Sequence, residues 1–147
     1  MSIPLPDLAA MEGFGARIAA QLQAGDVVAL SGSVGAGKTT LARAILSALG
    51  YRAEVPSPTF TIIETYDPPA VRLPLVHADF YRLERPEEIE EIGLEDYRTG
   101  AALLAEWPEN AGGFENEPGC LAISLEVAED GRIAIARGGA DWLGRMP

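Results

Sequence analysis

The sequence predicts an α/β fold in a single domain over residues 1–147, with a mixed, mostly parallel sheet flanked by helices and a C-terminal β-hairpin. Three observations predict it. Short apolar runs of the kind that form buried parallel strands alternate with segments of helical periodicity. A glycine-rich segment separates the first such run from a helical segment. Later in the chain, two segments of alternating polarity flank an Asp-Gly pair, which is typical of a tight hairpin turn.

The first part of the chain is predicted to form a helix, a strand, a glycine-rich loop and a second helix. Apolar side chains recur at helical intervals over 7–22, and Asp7 is placed as the N-cap. The run Val27-Val28-Ala29-Leu30 predicts a buried strand. The apolar periodicity over 39–49 predicts a helix that ends at Gly50.

The second part of the chain continues this alternation of strands and helices. Its predicted elements are a strand over 60–66, a partner strand over 71–78, a short acidic helix over 87–92, a strand over 101–105 and a hairpin over 121–127 and 132–136. The tail over 138–147 is expected to be loosely ordered, with Trp142 as a docking point.

Composition limits the classes of partner. The chain has 22 acidic and 11 basic side chains and a formal net charge of -11. Because nucleic acid is bound largely by neutralising its phosphates, we do not expect this chain to bind RNA or DNA strongly by itself, and a basic protein partner or a ligand brought with Mg²⁺ fits better. A single cysteine, Cys120, excludes an internal disulfide, and no apolar run is long enough for a membrane span. We therefore expect a cytoplasmic protein without a membrane partner.

The glycine-rich segment carries the strongest chemical signal. It reads Gly32-Ser33-Val34-Gly35-Ala36-Gly37-Lys38-Thr39, and Lys38 is the only lysine of the chain. Glycines let successive backbone N–H groups face phosphate oxygens, and the following helix adds its N-terminal dipole. The motif predicts a P-loop NTPase fold in which Lys38 bridges the β- and γ-phosphates, Thr39 ligates Mg²⁺ and Thr40 contacts the α-phosphate.

Two apolar strands end in acids. One run precedes Asp79 and another precedes Glu106. After a phosphate-binding loop, such strand ends are candidates for a metal ligand and for a residue that orients water. His77, the single histidine, is interpreted as a packed or hydrogen-bonded side chain near Asp79. For Trp107, stacking on a ligand and packing in the core both remain open.

Three further blocks follow the glycine-rich segment in order. They are Ser57-Pro58-Thr59-Phe60-Thr61, His77-Ala78-Asp79-Phe80-Tyr81-Arg82-Leu83 and Glu106-Trp107-Pro108. Together, the four blocks resemble the TsaE (YjeE) family of small bacterial ATPases, over roughly residues 8–110. The resemblance implies an ATPase that uses ATP and Mg²⁺ and assists the TsaB and TsaD proteins. That complex attaches the threonylcarbamoyl group to adenosine 37 of tRNA.

The resemblance also implies roles for individual residues. Those implied to bind ATP are Ser33, Val34, Gly35, Ala36, Gly37, Lys38, Thr39, Thr40 and Trp107. Thr39 and Glu106 would hold Mg²⁺, and Asp79 is the family's essential acid near the nucleotide. Ser57-Pro58-Thr59 would be a switch-like loop facing the γ-phosphate. Thr59 therefore joins Asp79 and Glu106 as a candidate catalytic residue.

Other functions remain open on sequence grounds. A small-molecule kinase would share the phosphate motif, but it usually needs a substrate pocket and an arginine-bearing lid, for which 147 residues leave little room. A GTPase of the usual kind is disfavoured because its guanine-reading Asn-Lys-x-Asp motif needs a second lysine. An adaptor with an inactive nucleotide site would bind nucleotide without hydrolysing it. Arg43, Arg82 and Arg85 are candidates for an arginine finger by proximity alone.

Overall fold

The structure is a computed structural model, and it describes residues 1–55 and 63–147. The described residues form seven strands: β1 (Ser2–Leu5), β2 (Val27–Ser31), β3 (Ile63–Tyr66), β4 (Leu75–Asp79), β5 (Ala102–Glu106), β6 (Cys120–Ala128) and β7 (Gly131–Gly138). They also form four α-helices: α1 (Leu8–Gln21), α2 (Lys38–Ala48), α3 (Glu88–Ile92) and α4 (Leu94–Arg98). Short 3₁₀ turns lie at Pro108–Ala111 and Ala140–Trp142.

All seven strands belong to one mixed sheet in the order β1-β7-β6-β2-β5-β4-β3. The four central strands, β6, β2, β5 and β4, run parallel, and antiparallel strands complete both edges. The predicted mixed α/β sheet and its C-terminal hairpin are therefore confirmed. Strands β4 and β5 are buried along their whole length, as expected of strands covered on both faces. Their carboxyl ends meet at one edge, where Asp79 lies opposite Glu106.

Helices α1 and α2 cover one face of the sheet. The predicted N-cap is confirmed, because the Asp7 carboxylate accepts a hydrogen bond of 2.8 Å from the backbone N–H of Ala10. Gly15 lets the two helices approach closely, since a Cβ at this position would lie 2.6 Å from the Ala44 Cβ. The alternation of side chains along β2 sends Val28 to this core and Val27 to a smaller core on the opposite face.

Two elements differ from the sequence prediction. Strand β1 was not predicted, and it exists through antiparallel pairing with β7, in which Ser2 lies opposite Ile135. The acidic helix α3 is confirmed, but Gly93 then starts a further short helix, α4, whose Leu94 is buried in the second core. Nothing in the local sequence pattern distinguishes these segments from loops, because tertiary contacts define both of them.

The tail over 138–147 packs against the domain, so the expectation of a loosely ordered tail is wrong. The Trp142 side chain is fully buried, and its indole N–H donates a hydrogen bond of 2.8 Å to Gly119 O. The Arg145 guanidinium pairs with the Asp26 carboxylate at 3.0 Å and donates to Gln21 O at 2.6 Å. Burial of a large aromatic ring and a satisfied ion pair offset the entropy of ordering this segment.

In the described ranges, 1–55 and 63–147, no helix has the length and apolar character needed to cross a bilayer.

Candidate functional site

The loop over residues 32–37, called the glycine loop below, joins the end of β2 to the start of α2. Gly32 adopts φ +142°, and a Cβ there would lie 2.5 Å from Leu125 O, so a side chain does not fit. Gly37, at φ +107°, is the left-handed N-cap of α2. Between them, the Ala36 N–H donates to Ser33 O at 3.0 Å and closes a turn. The strand, loop and helix predicted around the motif are thus all present.

Lys38 folds back over the glycine loop. Its Nζ donates to Gly32 O at 2.6 Å and to Ser33 O at 2.8 Å. The ammonium also lies 4.3 Å from the centroid of the Trp107 ring, within reach of a cation–π contact. Burial lowers the pKa of Lys38, while the nearby carboxylates of Glu106 and Asp79 act in the opposite direction. The only lysine of the chain therefore places its charge inside the concave side of the loop.

Glu106 and Thr39 meet beside this ammonium. The Thr39 hydroxyl, in the first turn of α2, donates to Glu106 Oε1 at 2.9 Å. Glu106 ends β5 and is 2% exposed. A hydroxyl and a carboxylate are the oxygen ligands that Mg²⁺ prefers, and Mg²⁺ at phosphate sites takes few ligands from protein. Thr39 and Glu106 are thus the groups here that could hold Mg²⁺. The described residues contain no cluster of three or more His, Cys, Asp and Glu side chains suited to a metal.

The second oxygen of Glu106 is occupied by His77. The distance from His77 Nε2 to Glu106 Oε2 is 2.6 Å, and the His77 side chain is fully buried. Within the described residues, no group forms a hydrogen bond with His77 Nδ1. The structure thus gives His77 a defined partner, which is Glu106 on β5 and not the acid two residues along its own strand.

Asp79 supplies the second acid of the site. It ends β4, lies opposite Glu106 in the parallel register and is 7% exposed. Its Oδ1 accepts a hydrogen bond of 3.0 Å from the backbone N–H of Tyr81. Parallel register between β4 and β5 therefore brings together the two carboxylates that the sequence placed at separate strand ends.

Trp107 turns the chain at the end of β5. It is the one non-glycine residue with positive φ in the part of the chain that the structure describes, at φ 58° and ψ 50°. For a bulky side chain, this left-handed conformation is unusual and costs backbone strain. Its ring lies 5.0 Å from that of Tyr81, centroid to centroid. The strained turn carries the indole to the wall of the cleft, where it contacts Lys38.

These groups line one cleft of about 370 Å³. Its walls are formed by Val34, Gly35, Gly37, Lys38, Thr39, Thr40, Asp79, Tyr81, Glu106 and Trp107. Of the other residues predicted to bind nucleotide, Ala36 is a fully buried residue of the loop, and Ser33 contributes a carbonyl that accepts from Lys38. Thr59 and the segment Ser57-Pro58-Thr59 lie outside the described residues. The roles of all these residues toward a nucleotide stay predictions.

Tyr81 was not predicted as part of the site. It lies two residues after Asp79 and is 51% exposed at the mouth of the cleft. An aromatic side chain two residues after an acid at a strand end was the signal available in the sequence. It was too common a pattern to single out, because the ring comes to the cleft only through the turn that follows β4.

The fold and the site define a class: an α/β protein in which a glycine loop with one lysine faces two buried carboxylates at the carboxyl ends of parallel strands. A family model described as "Threonylcarbamoyl adenosine biosynthesis protein TsaE" matches residues 5–134. The chain therefore belongs to the TsaE family, which functions in tRNA threonylcarbamoyladenosine biosynthesis. This confirms the resemblance drawn from the four sequence blocks.

Curated relatives named tRNA threonylcarbamoyladenosine biosynthesis protein TsaE are similar over most of the chain. The Haemophilus influenzae protein is 37% identical over 134 residues, which span 87% of this chain and 83% of the relative. The Streptomyces coelicolor protein is 43% identical over 100 residues, or 67% of this chain and 68% of the relative. The Synechocystis protein is 40% identical over 114 residues, or 74% and 71%.

A solved structure shares the fold. The crystal structure of YdiB from Bacillus subtilis superposes with a TM-score of 0.76 at 27% sequence identity. The alignment covers 99% of this chain and 88% of YdiB. The overall fold of this chain is therefore one already seen in a solved structure.

Proposed function

We propose that this protein binds ATP together with Mg²⁺ in the cleft and hydrolyses it, as an accessory to the t6A modification of adenosine 37 in tRNA. The observation that carries the proposal is the contact set around the glycine loop. The Lys38 ammonium lies within it, and the Thr39 hydroxyl bonds to Glu106 at 2.9 Å beside it. Membership of the TsaE family supplies the process.

The cleft offers a distinct group for each part of a triphosphate. Lys38 would exchange its bonds to Gly32 O and Ser33 O for bonds to phosphate oxygens. Thr40 lines the cleft one residue further along α2, where it would contact the α-phosphate. Trp107 and Tyr81 close the opposite wall with aromatic surface. Binding in this way would change the hydrogen-bond partners of Lys38.

Thr39 and Glu106 would hold the metal ion through oxygens that already lie within hydrogen-bond distance of each other. When bound, Mg²⁺ neutralises charge that develops on the phosphate oxygens. The hydrogen bond from His77 keeps the Glu106 carboxylate in one orientation. The metal site is thus prepared before the nucleotide arrives.

We assign to Asp79 the role of orienting the attacking water molecule. Its carboxylate is fixed by the Tyr81 N–H, it borders the cleft, and it stands beside the proposed metal ligand in the strand register. A carboxylate held in this way can orient a water molecule and accept its proton. Thr59 is proposed as a further catalytic residue on the basis of the family resemblance alone.

The proposed partners are the TsaB and TsaD proteins, and tRNA is reached only through them. The net charge of -11 disfavours direct binding of a polyanion, because each acidic group repels phosphate. In this role the protein would work in the cytoplasm, where tRNA is modified.

ATP turnover by the purified protein, with and without TsaB and TsaD, tests the proposal. We expect Mg²⁺-dependent release of phosphate that changes when both partners are added, and loss of t6A from tRNA in cells lacking the gene. The variant Glu106→Gln should lower turnover, whereas Glu126→Gln, an exposed acid on β6, should not. Turnover indifferent to the partners, with normal t6A in the deletion strain, would contradict the proposal. Stoichiometric transfer of phosphate to a small acceptor would instead favour a kinase.

A further inference from the structure

Arg132 connects the C-terminal hairpin to the glycine loop. It is the second residue of β7, and its guanidinium donates three hydrogen bonds to backbone carbonyls. Nε donates to Ala36 O at 3.1 Å, Nη2 to Gly35 O at 3.1 Å and Nη1 to Gly131 O at 3.0 Å. Two of these acceptors belong to the glycine loop, 96 and 97 residues earlier in the chain.

The two accepting carbonyls belong to the peptide groups at the apex of the loop. In a trans peptide, the C=O and the N–H point in opposite directions. The peptide that offers Gly35 O to Arg132 uses its N–H, that of Ala36, to close the turn on Ser33 O at 3.0 Å. The next peptide offers Ala36 O, so the Gly37 N–H points away from Arg132. Gly37 lines the cleft.

The backbone of Arg132 is itself held on both sides. Arg132 lies opposite Leu5 of β1 and opposite Val127 of β6. The preceding Gly131 has φ +99°, and a Cβ there would lie 2.4 Å from Leu5 O. The hairpin tip is therefore packed against β1, which fixes the backbone from which the Arg132 side chain extends, and three hydrogen bonds hold the guanidinium itself. A planar fork with several N–H groups also suits two adjacent carbonyls better than a single ammonium does.

We propose that Arg132 is a positioning residue for nucleotide binding, which fixes the apex of the glycine loop from the C-terminal hairpin and directs the Gly37 N–H toward the bound phosphates. The proposal rests on the proposed nucleotide site. Arg132 does not touch the phosphates. It acts through the loop, so its loss affects binding of the nucleotide more than the chemical step.

The test compares Arg132→Gln and Arg132→Lys with Arg137→Gln, an exposed arginine on the same strand. Calorimetric titration with ADP and with ATP should show Kd raised about tenfold by Arg132→Gln and less by Arg132→Lys. KM for ATP should rise in parallel while kcat changes by less than about twofold. Arg137→Gln should leave Kd and KM unchanged. Wild-type Kd in Arg132→Gln, or a loss confined to kcat, would overturn the proposal.

Hydrogen exchange of the nucleotide-free protein gives a second readout that needs no ligand. We expect the amide of Ala36 to exchange faster in Arg132→Lys than in the wild type, because the turn to Ser33 O loses its support. Unchanged exchange in a folded Arg132→Lys variant would overturn the proposal even if Arg132→Gln fails to fold. If the wild type binds no nucleotide, the proposed function fails, whereas the exchange result still reports on the role of Arg132 in fixing the loop.

Discussion

His77 Nε2 lies 2.6 Å from Glu106 Oε2, and both side chains are closed to solvent. With Glu106 ionised, the hydrogen of this bond lies on Nε2. The other carboxylate oxygen accepts from Thr39. The two bonds leave the Glu106 side chain no free rotation, so its orientation toward the cleft is set by residues on β4 and α2. Partners of this kind, behind a metal ligand, set the affinity for the ion.

Replacing His77 by phenylalanine should weaken the response to Mg²⁺. We expect His77→Phe to raise about tenfold the Mg²⁺ concentration that gives half-maximal tightening of ATP binding. His77→Gln, whose amide can still donate to Glu106, should show a smaller change. Titration calorimetry with and without Mg²⁺ measures this, and ADP binding in the absence of Mg²⁺ should be unaffected. Equal Mg²⁺ dependence in His77→Phe and the wild type would show that His77 is only a packing residue.

Removal of the Lys38 ammonium should reduce nucleotide affinity. Lys38→Ala deletes the ammonium held inside the glycine loop, and we expect Kd for ATP to rise about 10- to 100-fold, since charge-assisted hydrogen bonds to phosphate are lost. Arg17→Ala, which removes an exposed positive charge from α1, serves as the control for net charge. Comparable Kd values for Lys38→Ala and Arg17→Ala would mean that ATP does not bind in this cleft.

Asp79→Asn should separate binding from turnover. The amide keeps the shape of the carboxylate but is a poor proton acceptor, so we expect kcat to fall about 100-fold with Kd for ATP within about threefold of the wild type. Single-turnover hydrolysis and calorimetry give the two quantities. Asp96→Asn, an exposed acid on α4, should behave as the wild type. Undiminished turnover in Asp79→Asn would exclude Asp79 as the residue that orients water.

Truncation of Trp142 should destabilise the whole domain. Trp142→Ala empties a fully buried site and deletes the hydrogen bond to Gly119 O, so we expect the free energy of unfolding to fall by about 3–5 kcal/mol. The neighbouring Leu143 is 79% exposed, and Leu143→Ala should change stability by less than about 0.5 kcal/mol. Urea denaturation followed by circular dichroism measures both. Equal midpoints for the two variants would mean that the tail does not contribute to the core.

Sequence patterns predicted the part of the site that is formed by residues close together in the chain. The apolar run before Gly32, the glycines and the helical periodicity after Lys38 all lie within one short stretch of chain, and each has a direct structural cause. Asp79 and Glu106 were found as strand ends, and parallel pairing of β4 with β5 then brought them together. For these residues, the positions predicted from the sequence are also close together in the structure.

Contacts between residues far apart in the sequence could not be predicted. The partner of His77 depends on the register between β4 and β5, which periodicity does not specify. Arg132 contacts glycine-loop carbonyls that lie 96 and 97 residues earlier in the chain, and Trp142 is buried against a carbonyl that precedes β6. Each of these contacts depends on the order of the strands in the sheet. Periodicity along the sequence predicts where strands lie in the chain, but it does not predict which strands are neighbours.

The four-residue strand β1 has a consequence for self-association. Without it, β7 would present an open row of backbone donors and acceptors, to which a strand from another molecule could add. With it, this edge of the sheet is a short strand that contains Pro4, a residue with no N–H to donate. At this edge, Ser2–Leu5 therefore disfavours the addition of a strand from a second molecule.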